Sequence, residues 1–262
     1  MTVAGGSTAF YSMFLAEQRK APGDPVMPSL RKLAGGGAPK PPEIYHQVLA
    51  EMGIPVLHGY GMTECPMIAQ GGPHDSPDQL AHSEGKPVVG LEVRTVRADG
   101  SVCSAGEEGE VRVSGSIVCK GYTDAELTKA AFDDKGWFKT GDLGVIRPDG
   151  HIALTGRLKD VIIRKGENIS AKELEDLLFA HPSVKDVAVI GVPDAERGEM
   201  VVAVVETADG ADALTFEEMV AYLDGHGLMR QKIPERLEVM AALPRNETLN
   251  KVLKYKLREL YS

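Results

Sequence analysis

One short segment in the first third of the chain groups side chains that suit a nucleotide phosphate and its metal. It runs Gly59-Tyr60-Gly61-Met62-Thr63-Glu64. Tyr60 offers an aromatic face for stacking, Thr63 a hydroxyl group, and Glu64 a hard carboxylate able to hold Mg²⁺. The flanking glycines let backbone approach a ligand, so we interpret the segment as a turn. On its own, it is equally compatible with an exposed turn that carries one surface Glu.

Several common catalytic signatures are absent from the sequence. The Gly85-Lys86 pair is followed by Pro87, whereas a Walker loop needs Ser or Thr there to hold magnesium. There is no G-x-S-x-G nucleophile elbow and no H-E-x-x-H metal motif. Serine-hydrolase and metalloprotease functions therefore have no support.

Further segments accompany Tyr60–Glu64 in the order of the motifs of a known family. They are Gly35-Gly36-Gly37-Ala38-Pro39, Gly136-Trp137-Phe138-Lys139-Thr140-Gly141-Asp142, Gly156-Arg157-Leu158-Lys159-Asp160, Arg164-Lys165-Gly166-Glu167-Asn168-Ile169 and, near the end, Pro244-Arg245-Asn246 with Lys251-Val252-Leu253-Lys254. Together they resemble the adenylate-forming superfamily, the acyl-CoA synthetases and their relatives. The resemblance covers essentially the whole chain, and chance does not produce six motifs in order.

The resemblance implies a nucleotide site that binds ATP and then AMP. Its adenine pocket would be lined by Gly37, Ala38 and Pro39, with Tyr60 stacking on the base beside Gly61. Asp142 would accept hydrogen bonds from the ribose hydroxyls, as an ionised carboxylate can. Arg157 would bind ribose or phosphate. The alternatives are a turn role for Asp142 and a surface charge for Arg157.

The same resemblance implies the catalytic groups. Thr63 would bond the α-phosphate, and Glu64 would coordinate Mg²⁺. Lys251 would neutralise charge on the carboxylate and α-phosphate during adenylation. The alternative for Lys251 is a solvated basic helix, and Asn250 stands before it where the family usually has Gly.

Two further residues would serve the second half of the reaction. Lys159 would be the hinge about which the small domain rotates, and Gly166 would lie beside the path of coenzyme A. His58 is compatible with either a packing role or the edge of an acyl pocket. Cys65 is expected to be a small buried thiol.

The resemblance also implies an activity, that of an acyl-CoA synthetase for fatty or related carboxylic acids. Such an enzyme uses ATP to form an acyl-adenylate and then exchanges AMP for the CoA thiol. Early in its chain the family carries a Ser/Thr/Gly-rich loop, ending in Lys, that wraps the β- and γ-phosphates. Gly5-Gly6-Ser7-Thr8 is too short to match it and has no following Lys.

We therefore expect the C-terminal half of a family member. It would be a truncated gene product, an expression fragment or one part of a split enzyme with a separate chain as partner. The alternative function is a catalytically inactive AMP-binding remnant.

The elements that must position these residues divide into three stretches. Residues 1–87 predict the α/β portion of a large domain, with a helix over 41–53, a strand over 54–57 and a long loop over 71–87. Residues 88–157 predict short antiparallel strands in a small, barrel-like β subdomain. Residues 158–262 predict a mobile, compact α+β domain.

Within residues 158–262, two patterns of the S/T-x-x-E type predict helix starts. They are Ser170–Glu173 and Thr215–Glu218, each of the capping-box type. Apolar runs over 184–192 and 200–206 predict strands, and residues 251–260 predict a final basic helix.

Composition restricts the remaining possibilities. The 262 residues carry 29 basic and 38 acidic side chains, a net charge of −9, so we expect no nucleic-acid partner. No apolar run approaches the roughly 20 residues that span a bilayer. The three cysteines have no C-x-x-C spacing, which favours a reducing, cytoplasmic location.

Overall fold

The structure is a computed structural model that describes residues 2–247 and 250–262. It divides into two compact units, Met1–Leu158 and Lys159–Ser262. Thr248 and Leu249, in the segment before the predicted catalytic lysine, lie outside the described residues, as does Met1.

A five-stranded sheet begins the first unit. Its strands, in spatial order, are β1 (Val3–Gly6), β2 (Lys32–Gly36), β3 (Val56–Met62), β4 (Cys65–Gln70) and β5 (Lys86–Pro87). The first three are parallel, and the last two are antiparallel to their neighbours. Helices α1 (Thr8–Arg19), α2 (Pro42–Met52) and α3 (Pro77–His82) connect them.

Helix α2 confirms the prediction over 41–53. Pro42 begins it and Gly53 ends it in the left-handed conformation with φ +65°, which glycine adopts without strain. The apolar pattern Ile44, Val48, Leu49 and Met52 predicts the buried face; Ile44 and Val48 are buried as predicted, but Tyr45 is buried as well and Leu49 is exposed.

Two predicted loops are wrong. Gly59-Tyr60-Gly61 lies within strand β3, and the turn is formed instead by Thr63 and Glu64 between β3 and β4. The stretch 71–87 contains α3, whose start is fixed by a capping box between Ser76 and Gln79. The Gly- and Pro-rich composition of 71–87 masked this helix of six residues.

A second sheet in the first unit is an antiparallel meander, which confirms the short antiparallel strands predicted from the sequence pattern over 88–157. Its strands are β6 (Leu91–Val96), β7 (Glu108–Gly115), β8 (Phe138–Ile146) and β9 (Ile152–Arg157), with β6 and β9 at the ends of the order. Helix α4 (Ala125–Ala131) lies between β7 and β8 in the sequence. Val111, Val113 and Phe138 pack in one core with Tyr60 and Ile68 of the first sheet.

The second unit contains a five-stranded sheet buried on both faces. It comprises β10 (Val161–Arg164), β11 (Glu167–Ser170), β12 (Val184–Asp194), β13 (Gly198–Thr207) and β14 (Arg236–Met240). Their order is β11-β10-β13-β12, and β14 pairs in parallel with β13. Helices α5 (Ala171–Phe179), α6 (Phe216–Gly225) and α7 (Lys254–Tyr261) complete the unit.

Side chains of β12 alternate between two hydrophobic cores, one on each face of the sheet. Val187 and Val189 join the core that contains α5 and α6 residues, while Ala188 and Ile190 join the core that contains Leu257 of α7. Successive strand residues point to opposite faces, so the continuous apolar run over 184–192 indicates a strand covered on both sides.

The predicted helix starts in this unit are largely confirmed. Thr215 and Glu218 form a complete capping box at α6. Ser170 accepts a hydrogen bond from the Glu173 N–H, but the Glu173 carboxylate pairs with Lys232. The final helix begins at Lys254, so its predicted start at residue 251 is wrong.

Candidate active site

Pairing of β8 with β9 brings together two motifs that are separated in the sequence. In the register of these strands Asp142 lies opposite Arg157. Arg157 Nε donates to Asp142 Oδ1 at 2.8 Å, and the Tyr60 hydroxyl donates to Oδ2 at 2.7 Å. The structure therefore unites Tyr60, Asp142 and Arg157 around one carboxylate.

The three residues differ in exposure, which separates their possible roles. Asp142 is 3% exposed and Tyr60 is 6% exposed, whereas the Arg157 side chain is 51% exposed. Each carboxylate oxygen has two lone pairs, so Asp142 retains acceptor capacity after binding both neighbours. Burial, with the nearby Asp142 charge, raises the pKa of Tyr60 well above its ordinary value and keeps its hydroxyl a donor.

The loop predicted to hold adenine begins where β2 ends. Gly36 pairs with Gly59 of β3, and a Cβ on Gly36 would lie 2.3 Å from the Gly59 carbonyl oxygen. Gly37, Ala38 and Pro39 follow at the carboxyl edge of the parallel strands, where ligands bind in α/β sheets. Tyr60 is the residue after Gly59, so it lies at the same edge.

The buried side chain of His58 contacts the backbone of this loop. Its ring is 3% exposed, and Nε2 lies 3.1 Å from the Ala38 carbonyl oxygen. Because a carbonyl only accepts, Nε2 carries the hydrogen, and the Tyr11 hydroxyl lies 3.4 Å from Nδ1. Of the two roles left open, these contacts favour packing and positioning of the loop.

Glu64 occupies the turn between β3 and β4 together with the exposed Thr63. The Tyr122 hydroxyl donates to Glu64 Oε1 at 2.8 Å, and the Cys119 N–H donates to the Glu64 carbonyl at 2.7 Å. Sequence reasoning missed Tyr122, which lies 58 residues from Glu64 and in none of the motifs.

Glu64 fits the kind of Mg²⁺ site that the resemblance implies. The part of the chain that the structure describes contains no cluster of three His, Cys, Asp or Glu residues able to hold a metal. Mg²⁺ is commonly held by one or two carboxylates together with substrate phosphates and water, and Glu64 supplies one carboxylate.

Lys251 lies in a loop of the second unit, just before α7. Its N–H donates to Asn246 Oδ1 at 2.8 Å, and its carbonyl accepts from the Asn246 N–H. Asn250 has φ +54°, in the left-handed region that favours glycine. Asn is one of the few other residues that tolerate this region, so Asn250 holds a backbone conformation that Gly would also adopt.

Lys159 and Gly166 lie in two short connections of the chain. Lys159 belongs to a 3₁₀ turn, Leu158–Asp160, at the division between the units. Gly166 has φ +83° in the two-residue turn that joins β10 to β11. Cys65 is fully buried, and burial raises the pKa of its thiol, as expected for an unreactive thiol.

Across residues 2–247 and 250–262, no helix is both long enough and apolar enough to cross a membrane.

Two protein-family models match most of this chain. The family described as AMP-binding enzyme matches residues 1–123, and AMP-binding enzyme C-terminal domain matches residues 173–249. The medium-chain fatty-acid–CoA ligase of Escherichia coli K12 is 35% identical over 255 residues, covering 97% of this chain and 44% of the relative.

Solved structures show the same similarity. ATP-bound MatB from Rhodopseudomonas palustris has a TM-score of 0.90 and 36% identity, covering 99% of this chain and 51% of that one. The o-succinylbenzoate coenzyme A synthetase MenE of Bacillus subtilis, in complex with ATP and magnesium ion, has a TM-score of 0.81 and 34% identity, with 98% and 51% covered.

This chain thus spans about half the length of the relatives that it matches. The two family matches, the order of the motifs and the shared fold agree, and the chain belongs to the adenylate-forming superfamily of AMP-binding enzymes.

Proposed function

We propose that this chain carries the AMP-binding and C-terminal parts of an acid–CoA ligase for fatty or related carboxylic acids. The observation that carries the proposal is the convergence of Tyr60, Asp142 and Arg157 around one buried carboxylate. A buried anion beside an exposed guanidinium suits a ribose that carries a phosphate. The similarity to a medium-chain fatty-acid–CoA ligase supports the substrate class.

In the first half-reaction, a carboxylate oxygen of the acid attacks the α-phosphorus of ATP, and pyrophosphate leaves. We assign Asp142 to the ribose hydroxyls and Arg157 to ribose or phosphate, through the N–H groups that do not contact Asp142. The Thr63 hydroxyl donates to the α-phosphate. Lys251 donates to the carboxylate and α-phosphate, where charge develops in the transition state.

Glu64 lies where it could help to hold a metal ion on the phosphates of the nucleotide. Mg²⁺, held by Glu64 and phosphate oxygens, would supply charge neutralisation on the nucleotide. Gly37, Ala38 and Pro39 would leave room for adenine at the sheet edge, with the Tyr60 ring and Gly61 beside it.

In the second half-reaction, the CoA sulfur attacks the acyl carbonyl, the thiol proton passes to solvent, and AMP leaves with the bonding electron pair. We assign the turn at Gly166 to the path of coenzyme A, because a residue without a side chain leaves space for a narrow ligand. Lys159 would be the pivot of a domain rotation between the two half-reactions, since a few terminal residues suffice to absorb such a change.

A second candidate is a catalytically inactive AMP-binding part, or one part of a split enzyme with a separate partner chain. Its support is that the 262 residues contain no Ser/Thr/Gly-rich loop ending in Lys for the β- and γ-phosphates. Both candidate functions assume that the chain binds AMP, so a measurement of AMP binding tests the assumption that they share.

Calorimetry of the 262-residue chain with AMP tests this site. We expect measurable binding, weakened about tenfold or more by Asp142→Asn, since hydrogen bonds to a charged group contribute about 1.5–3 kcal/mol. Asp99→Asn, on an exposed turn, is the matched control and should bind AMP like the wild type. The proposal fails if millimolar AMP does not bind, or if both variants weaken binding equally.

A further inference from the structure

The hydrogen bond from Tyr122 to Glu64 places an aromatic hydroxyl beside the carboxylate assigned to the metal. Glu64 lies on a two-residue turn, where a long side chain has several rotamers available. Ordering a Glu side chain opposes binding, because the side chain loses rotamer entropy. Donation from Tyr122 to Oε1 restricts those rotamers before any ligand arrives.

The loop that carries Tyr122 is itself fixed at several points. The Tyr122 N–H donates to Thr128 Oγ1 at 2.8 Å, and that hydroxyl donates to the Asp124 carbonyl at 2.9 Å. A Cβ on Gly121 would lie 2.6 Å from the Thr128 methyl group, so only glycine permits this close approach. The Cys119 N–H donates to the Glu64 carbonyl, so the segment before Tyr122 is also bound to the backbone of the turn that carries Glu64.

The chemistry of the donor suits a carboxylate that must bind a cation. A Lys or Arg partner would orient Glu64, but it would also neutralise its charge and repel a metal ion. The phenol hydroxyl is uncharged, and its single hydrogen bond leaves Glu64 Oε2 and the full negative charge available. Outer partners of ligating carboxylates commonly act in this way.

We propose that Tyr122 is a positioning residue, which holds the Glu64 carboxylate in the orientation that receives the divalent cation of the bound nucleotide. This inference rests on the proposed function, because it needs Glu64 to meet a nucleotide-bound metal. Tyr122 contacts neither the nucleotide nor the metal, and its effect passes through Glu64.

Calorimetry of the 262-residue chain with ATP, once with Mg²⁺ and once with EDTA, tests the inference. The dissociation constant with EDTA divided by the one with Mg²⁺ measures how much the metal strengthens nucleotide binding. We expect Tyr122→Phe to lower this ratio about tenfold, the lower end of the usual effect of such partners. The affinity for metal-free ATP should stay within about twofold. Tyr255→Phe, which removes an exposed hydroxyl in α7, should change neither value.

A double-mutant cycle separates positioning from a general structural effect. In a Glu64→Gln background the metal effect is already lost, so adding Tyr122→Phe should cause no further change. Equal losses in both backgrounds, or an unchanged ratio in Tyr122→Phe, would refute the inference, as would a wild-type ratio of one. If the wild type binds neither AMP nor either form of ATP, the proposed function fails and this inference fails with it, whereas binding of AMP without either form of ATP would refute this inference alone.

A spectroscopic signature checks the hydrogen bond without nucleotide. With ¹³C at Cζ of the seven tyrosines, the Tyr122 signal is identified by its loss in Tyr122→Phe. At neutral pH, Glu64→Gln should shift this signal, because it replaces the charged acceptor of the hydroxyl. A signal that does not move would show that the bond is absent and overturn the inference.

Discussion

Two lysines three positions apart in the last motif have different surroundings. Lys254 Nζ forms an ion pair with Glu175 Oε1 at 2.7 Å, with both side chains largely buried, and Glu175 also accepts from the Val189 N–H. Lys251 lies outside this pair, in the loop before α7. The contacts therefore favour a structural role for Lys254 and support the assignment of catalysis to Lys251.

Removal of Lys254 should destabilise the second unit. Lys254→Met leaves the buried Glu175 carboxylate without its cation, and breaking a buried pair on one side costs about 3–5 kcal/mol. Lys256→Met, on an exposed position of the same helix, is the control and should change the free energy of unfolding by less than about 0.5 kcal/mol. Urea unfolding at neutral pH measures both.

The cost of Lys254→Met should also depend on pH. Burial raises the pKa of Glu175 in the folded state, although Lys254 opposes this effect. A carboxyl group with a raised folded pKa contributes stability below its unfolded pKa of about 4.3 and loses it as pH rises through the folded value. Without Lys254 the pKa rises further, so the variant should lose more stability at pH 8 than at pH 5. An equal loss at both values would show that Glu175 is not the cause.

At the scale of elements, the sequence predicted those whose pattern is local. Helix α6 follows from its capping box, and strands β12 and β13 follow from long apolar runs. A capping box depends only on residues three positions apart, and an apolar run only on burial, so the local order of residues indicates these elements. The order of strands and the presence of two cores do not follow from such patterns, because both depend on pairing between distant segments.

The same limit explains what sequence reasoning missed around the site. Gly59 and Gly61 looked like turn residues, yet a Cβ on Gly61 would lie 2.3 Å from the Pro66 carbonyl of the paired strand. These glycines permit close strand approach rather than a turn. Tyr122 was missed since its only signal is contact with a residue far away in the chain.

The turn between β10 and β11 offers a test of one element. Arg164 pairs with Glu167, so Lys165 and Gly166 form the turn, with φ +50° and +83°. Two positive φ values are typical of the hairpin turn that matches strand twist. A Cβ on Gly166 would meet nothing within 4 Å, so Gly166→Ala carries only conformational strain, about 1–2 kcal/mol.

Chemical unfolding with a second glycine as control decides this prediction. Gly225 lies in helix α6 of the same unit, where a Cβ also meets nothing within 4 Å and φ is helical. Gly225→Ala should leave stability unchanged or raise it by up to about 1 kcal/mol. Equal effects of the two substitutions would contradict a left-handed Gly166.

At the scale of the whole molecule, the proposed chemistry needs more than this sequence contains. Adenylation requires the β- and γ-phosphates of ATP to be held in line with the attacking carboxylate. The residues assigned under the proposed function would contact adenine, ribose, the α-phosphate and a metal. The chain spans about half the length of its relatives, and no segment of it resembles their phosphate loop.

We therefore expect the 262-residue chain alone to catalyse no carboxylate-dependent pyrophosphate exchange. Joining it to the N-terminal half of the Escherichia coli relative should restore exchange, and Lys251→Ala should then lower that rate on the order of 10²–10³-fold. Lys256→Ala is the control. Thioester formation from a preformed acyl-adenylate should change far less, because the charge that Lys251 stabilises develops only when adenylate forms. Exchange by the unextended chain would show that it needs no phosphate loop, and equal losses in both half-reactions would assign Lys251 to structure rather than to adenylation.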